Sequence, residues 1–423
     1  MTAQNLLMWW VSKNKMEATA IEQVENLRKE KFYVIILAAI QIAHILDFVI
    51  MMPLGPQFMR VFKISPVEFS TLVSAYTFSA GLVGFFGALY ADHFDRKKFL
   101  LFNFTGFIAG TFMCAIANGF ASLLLARILA GAFGGILNAC VLSMVSDLIP
   151  FKRRGNAMGV VMSAFSISSI AGVPVGLWIA NAYDWHAAFY FICIVSGVFW
   201  LGALFILPSI KTLHEPKSFK ENLKNFGSIV SQKDYLQSFS LTSTLGFGVF
   251  MIVPFIAPYM VRNVGLAERD LPLIYLIGGT CTIVAARVIG KLCDRVGSFN
   301  VFRIVAIISI FPIFAITNLP IVPIWVALTV TTFFTMFGSA RFIPAMTLVS
   351  AVVKPKERGT FMSLENSARQ FSAGAASQVA GLIIGSTAAG TLTNYNLVGY
   401  VGISTSLIAI FIASRIKRKL DLR

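Results

Sequence analysis

Continuous apolar runs alternate with short polar stretches along almost the whole chain. They fall near residues 33–55, 69–91, 99–118, 121–144, 157–181, 187–208, 237–260, 271–290, 300–317, 321–347, 360–387 and 395–414. A helix needs about 20 residues to cross a hydrocarbon core of about 30 Å, and each run is of that order. The apolar positions are continuous rather than alternating, so a closed β-barrel is excluded. The pattern predicts an all-alpha membrane protein with twelve transmembrane helices. Segments 3 and 4, and 9 and 10, are joined by little more than tight hairpins. The longest polar stretch, Ser209 to Gln237, contains Pro216 and Lys-rich runs and divides the segments six and six. It is too short for a soluble domain and reads as a linker. The expected organisation is an N-terminal arm (1–32), a six-helix bundle (33–208), a linker (209–236), a second six-helix bundle (237–415) and a tail (416–423).

Composition agrees with this reading. The chain has 423 residues, 57% of them hydrophobic and only 13% charged, and its mean hydropathy is +0.77. The net charge of +16 raises the question of a nucleic-acid partner, and its placement answers it. Of 35 basic residues, 27 lie before segment 1, in loops after even-numbered segments or in the tail, against four (Arg60, Lys63, Arg262, Arg269) in the opposite loops. Basic loops stay in the cytoplasm, so both termini are expected there and no nucleic acid is implied. The arm, with Met8-Trp9-Trp10-Val11 followed by a heavily charged stretch and no small-residue cleavage site, reads as an amphipathic, interface-lying segment rather than a leader.

Two charged turns about 200 residues apart suggest that the chain is built twice. Ala88-Leu89-Tyr90-Ala91-Asp92-His93-Phe94-Asp95-Arg96-Lys97-Lys98 follows segment 2, and Gly290-Lys291-Leu292-Cys293-Asp294-Arg295-Val296-Gly297 follows segment 8. Lys152-Arg153-Arg154-Gly155 and Lys356-Glu357-Arg358-Gly359 form a weaker second match. Turns at corresponding places in each half indicate a duplication with parallel halves.

Charged groups inside the apolar segments carry the functional information, because each costs about 2.5–3.5 kcal/mol at mid-bilayer even on the lenient scale. Asp47 is the sharpest case. A carboxylate cannot snorkel as Lys can, so Asp47 must face a polar cavity or a base. Proton coupling or substrate contact is the first expectation, and a packed structural pair is the alternative. His44 lies three residues earlier on the same helical face. Arg127, followed by glycines that let helices approach, is the natural candidate partner. Arg341 lies in segment 10. Glu365 and Arg369 in segment 11 are spaced for an intrahelical pair, which favours a structural role over a gating one.

Gly172-Val173-Pro174-Val175-Gly176 predicts a kink in segment 5, in a helix lined by serines including Ser166. Pro174, Ser166, Gln41, Tyr76, Asn138 and Tyr259, with Glu365 and Arg369, are the candidates for lining a substrate cavity. Five scattered cysteines and four histidines make neither a disulfide framework nor a metal site. No set of nucleophile, base or metal residues converges at one depth, so neither an enzyme nor a cofactor is expected.

Twelve segments, two halves and the repeated turn resemble the major facilitator superfamily of secondary transporters, over residues 33–415. That family's turn typically reads Gly-x-x-x-Asp-Arg-x-Gly-Arg-Arg. The first copy keeps Asp92 but has Ala88, His93 and Asp95 at altered positions. The second keeps Gly290, Asp294, Arg295 and Gly297 and replaces the basic pair with Ser298 and Phe299. Arg127 with Gly131 is similar to the segment-4 motif of proton-driven members, and Gly172 to Gly176 to the segment-5 motif of exporters. Residues 154–159 and Tyr183-Asp184-Trp185-His186 are similar to the bacterial drug- and sugar-efflux branch.

The resemblance implies two pseudo-symmetric halves, alternating access and substrate between them near the midplane. Asp47, Arg127 and His44 would serve proton coupling. Asp92, Arg96, Lys97, Asp294, Arg295 and Arg341 would serve gating, with Asp92 locking the cytoplasmic side. It further implies a monomer in the bacterial inner membrane with both termini cytoplasmic, whose partners are a small-molecule substrate, protons and membrane lipids. Export of a small organic solute or drug by proton antiport is the expected function. Proton-coupled uptake of a metabolite, or lipid or lysolipid transport, are the alternatives.

Overall fold

The computed structural model describes residues 3–90, 94–209, 226–354 and 357–421, without the side chains of residues 3–26, 88–90, 151–152, 358–359 and 421. Among the described residues, 11 helices are long and apolar enough to cross a membrane. These are span 1 (Leu27–Ile50), span 2 (Pro66–Gly87), span 3 (Arg96–Ala115), span 4 (Phe120–Leu148), span 5 (Arg153–Ala182), span 6 (Trp185–Ile206), span 7 (Lys233–Val264), span 8 (Glu268–Val296), span 9 (Ser298–Thr317), span 10 (Ile324–Val352) and span 12 (Tyr395–Leu420). The remaining long helix, Arg358–Ile383, is span 11. It is as long as its neighbours but polar, carrying Glu365, Asn366, Arg369, Gln370 and Gln378. A helix of that kind is stable in a membrane only if its polar side faces protein or water.

Local irregularities follow from sequence. The N-terminal arm continues span 1 as one helix, Ala3–Ile50, rather than turning aside. Span 5 contains a π-turn, Ser168–Gly172, and resumes as helix Val173–Ala182 with Pro174 in its first turn, where a missing N–H costs nothing. The expected kink is therefore a π-turn just before the proline. Gly172 and Gly176 also allow close packing on span 1, since a Cβ on either would stand 2.9 Å from Leu46 or Ile50. Spans 9 and 10 each break once, at Ser309 and Arg341. Between spans 11 and 12, β1 (Gly385–Ser386) pairs antiparallel with β2 (Leu392–Thr393).

Packing ties the halves together most extensively at one end. Span 2 runs against span 11, and span 5 against span 8. At the end remote from the termini, a single apolar core joins Leu54, Phe58 and Phe69 of the first half to Phe255, Tyr259 and Ile316 of the second. Toward the termini the buried cores are separate. One contains Val34, Phe104 and Val145, and the other Tyr235, Phe302 and Phe361. Close van der Waals packing holds a shared core together within a membrane, and at the termini end the contact between the described halves is narrower, with Phe85 of span 2 against Phe226 and the second-half core.

Candidate functional site

Asp47 and Arg127 meet. Arg127 Nη1 donates to Asp47 Oδ2 at 2.8 Å, and neither side chain is exposed. Thr111 of span 3 donates to Asp47 Oδ1 at 3.1 Å, and the guanidinium lies over the Tyr76 ring, 4.3 Å from its centroid. Spans 1, 2, 3 and 4 thus converge on one ion pair. The glycines after Arg127 make the convergence possible. A Cβ on Gly131 would strike the Tyr76 backbone, one on Gly135 the Ala80 backbone, and one on Gly134 would lie 2.9 Å from the His44 ring.

This cluster is under-satisfied. Arg127 Nε and Nη2, Tyr76 Oη and both His44 ring nitrogens are buried without a hydrogen-bond partner. A pair cut off from solvent normally has its remaining donors and acceptors satisfied, so such a concentration of unpaired polar atoms sets this cluster apart.

The remaining candidates separate into those near the gap between the halves and those that are not. Gln41 donates to Asn138 at 2.9 Å, linking spans 1 and 4, and Asn138, Ser166 and Pro174 are partly exposed. Arg369 is 41% exposed at its side chain and donates to Asn366 Oδ1 at 3.0 Å. Its Nε stands 3.8 Å from Glu365 Oε1, too far for a hydrogen bond.

Several expectations are corrected. Tyr76 is fully buried over Arg127, screened by a stacked Phe48 ring, and so does not line the gap. Tyr259 is buried in the shared core with its hydroxyl donating to Leu319 O at 2.9 Å. Glu365 is buried behind Arg369. Arg341 lies inside the second half, donating to Ser406 at 2.7 Å, where it touches no gate. Arg96 pairs with Asp147 at 3.1 Å within the first half, which braces spans 3 and 4. Lys97 is partly exposed, and Asp294 and Arg295 are exposed at the end of span 8. The Asp92 lock lies outside the described residues.

Asp95, which displaces a family glycine, caps span 3. Its carboxylate accepts from the Lys98 N–H at 2.9 Å and from the Ser209 hydroxyl at 2.5 Å. Partial burial pushes this carboxyl up, but the hydrogen bonds from Ser209 and the Lys98 and Lys97 backbone, with the Lys98 charge, outweigh it and hold it below its ordinary value.

The interaction that does bridge the halves was not legible in sequence. Arg60, between spans 1 and 2, makes a bidentate ion pair with Glu268 at the start of span 8. Asn181 of span 5 donates to the Glu268 carbonyl at 3.2 Å and accepts from Gln57 at 3.1 Å. Hydrogen bonding to Glu268 holds the Arg60 guanidinium above its ordinary value. Below this latch, Ser74 and Thr71 of span 2 donate to Gln378 of span 11 at 3.0 and 3.3 Å. These pairs join residues 87 to 307 positions apart and have no local signature.

The model of the Major Facilitator Superfamily matches residues 37–377 and 239–420. The chain belongs to that superfamily. It is a multi-pass membrane transporter of small solutes and not an enzyme. The uncharacterized MFS-type transporter YceJ of Bacillus subtilis is 23% identical over 344 residues, covering 81% of this chain and 86% of YceJ. Multidrug resistance protein 2 of the same organism is 22% identical over 286 residues, covering 66% and 71% of the two chains. Among solved structures, an inward-facing bacterial homolog of the human lysosomal transporter Spinster superposes with a TM-score of 0.68 at 16% identity, covering 93% of this chain and 98% of that one. A point variant of the nucleoside transporter NupG gives 0.71 at 15% identity, covering 92% and 99%. At these identities the structural likeness speaks for the fold.

Proposed function

We propose that this superfamily member is a proton-coupled antiporter that exports a small organic solute from bacteria across the inner membrane. The observation that carries the reading is the fully buried Asp47–Arg127 pair amid unpaired polar atoms. Ionised, Asp47 neutralises Arg127. Protonated, it leaves an arginine charge uncompensated in a medium where charge is expensive. Any conformation that lets water or another acceptor reach Arg127 is then favoured, so the proton's binding energy becomes a bias between states.

The coupling route is short. The Asp47 neighbour Phe48 stacks on Tyr76, which covers Arg127, and also meets Phe250 of span 7 at 5.8 Å. A change at the ion pair therefore has a contact through which to move the second half. With both termini in the cytoplasm, as the basic loops imply, the closed end is periplasmic and the conformation is inward-facing. The Arg60–Glu268 latch is then the periplasmic gate.

Proteoliposomes loaded with a pH-sensitive dye and exposed to a panel of small organic solutes test this reading. Solute-dependent proton movement is expected in the wild type and absent in Asp47→Asn. Proton movement retained in the variant would refute it, and solute-free labels on the gate give an independent check.

A further inference from the structure

Mid-membrane charge is displayed unevenly in this protein. Asp47, Arg127 and Arg341 are at most 2% exposed and Glu365 is 3% exposed. Arg369 alone among them presents its head group, with 41% of its side chain accessible. Both of these carboxylates are therefore hidden, and of these three arginines only Arg369 is offered; Arg287 is exposed too, nearer the end of span 8.

The faces of span 11 say where it is offered. Gly374, Gln378 and Gly381 approach span 2. Phe361 stacks on Phe239 of span 7, and Ser372 donates to the Ser243 carbonyl of that span. The exposed Phe371, Val379 and Leu382 mark the lipid side. At 100° per residue, Met362, Asn366 and Arg369 occupy the remaining side, opposite the lipid and facing the gap between the halves. Farther along this stripe, Ala373, Ser377 and Ala380 are fully buried in the closed end. Arg369 thus stands at the blind end of the gap, where a solute entering from the termini end would stop.

Its head group is positioned but not consumed. Asn366 accepts from Nη2, Glu365 lies behind at 3.8 Å without a hydrogen bond, and Glu365 Oε1 is buried with no partner. The Nη1 edge has no acceptor among the described residues.

We propose that Arg369, oriented by Asn366 and Glu365, recognises the acidic group of an organic anion, so that the transported solute carries a carboxylate, sulfonate or phosphate. This deepens the transport reading and rests on the gap being the solute path. A guanidinium presents paired donors that fit such a group bidentately, and low local dielectric strengthens the pairing. A cationic solute would meet the same guanidinium with no exposed carboxylate nearby to receive it.

The test is thermal stabilisation of the purified full chain in phosphatidylcholine nanodiscs by three probes with one aromatic body: 2-naphthoate, 2-naphthamide and 2-naphthylmethylamine. Saturable stabilisation by naphthoate alone is expected. Arg369→Gln should weaken it about ten-fold or more, the cost of losing a charged hydrogen-bond partner, and Arg369→Lys should restore part. The double variant Glu365→Gln/Arg369→Gln leaves no lone buried charge and should lose naphthoate binding while folding normally. Equal stabilisation by the amide or amine, none by naphthoate, or binding retained in the double variant would overturn the proposal. Asp47→Asn should still bind naphthoate, so a failure at Arg369 and a failure of proton coupling are read separately.

Discussion

Asp47 and Arg127 sit 2.8 Å apart with no exposed side-chain surface, and their 80-residue separation in sequence is closed by the glycine face of span 4. That relationship makes the packing of spans 1 to 4 in this transporter depend on one ion pair.

Removing one partner should cost more than neutralising it conservatively. Asp47→Leu leaves Arg127 buried and unpaired and is expected to destabilise the protein by about 3–5 kcal/mol. Asp47→Asn keeps the shape and an acceptor, so it should fold and lose coupling. Thr111→Val, which removes one hydroxyl donor, should cost about 1 kcal/mol. Thermal unfolding in detergent ranks the three, and an Asp47→Leu protein as stable as wild type would refute the ordering.

Glycine 135 should be intolerant of any side chain. An alanine there would place its Cβ against the Ala80 backbone, which cannot rotate away as a side chain can. Gly135→Ala is expected to cost about 1–3 kcal/mol or more. Gly197, where a Cβ meets nothing within 4 Å, is the matched control and should be near neutral. Comparing folded yield and melting temperature of the two variants checks the claim.

The latch should tune conformation rather than stability. Arg60 is well exposed, so its pair with Glu268 contributes about 0–1 kcal/mol. Glu268→Gln is therefore expected to change the ratio of closed to open latch by up to about five-fold, with little change in melting temperature. Labels at Val61 and Ala267, both exposed beside the latch, report that ratio directly. An unchanged ratio would show that Arg60 and Glu268 are not a gate.

The Asp95 cap predicts an acid dependence. Its carboxyl is held low in the folded protein, so the stability it adds is fully present above the ordinary carboxylate range and is lost as pH falls through the lowered value. Asp95→Ala should cost about 1 kcal/mol at neutral pH, and the difference from wild type should shrink on acidification. A difference that grew toward low pH would contradict the sign.

How much of this was legible beforehand depends on range. Apolar run length located eleven of the long helices, whereas span 11, expected as an apolar run over 360–387, is polar enough to fall short of that criterion and is held by packing instead. Asp47 and Arg127 stood out because a mid-membrane charge is costly wherever it lies. Other roles needed directions that sequence does not contain. Tyr259 and Tyr76 read as cavity residues and turned out to face the core and Arg127, because nothing local tells which side of a long, uniformly apolar helix points inward. Arg341 likewise turns to Ser406 inside its own half. Arg60 and Glu268 were invisible as a pair, since they are exposed loop and helix-start charges 208 residues apart.

The central claim is that protonation of Asp47 changes which end of the transporter is closed. Distance distributions between spin labels at Val61 and Ala267, recorded from about pH 5 to pH 8 in a background without the five native cysteines, test it without a substrate. The account predicts a closed-latch population that changes several-fold with pH in the wild type and stays constant in Asp47→Asn. A wild-type distribution that ignores pH, or an Asp47→Asn distribution that follows it unchanged, would contradict the account.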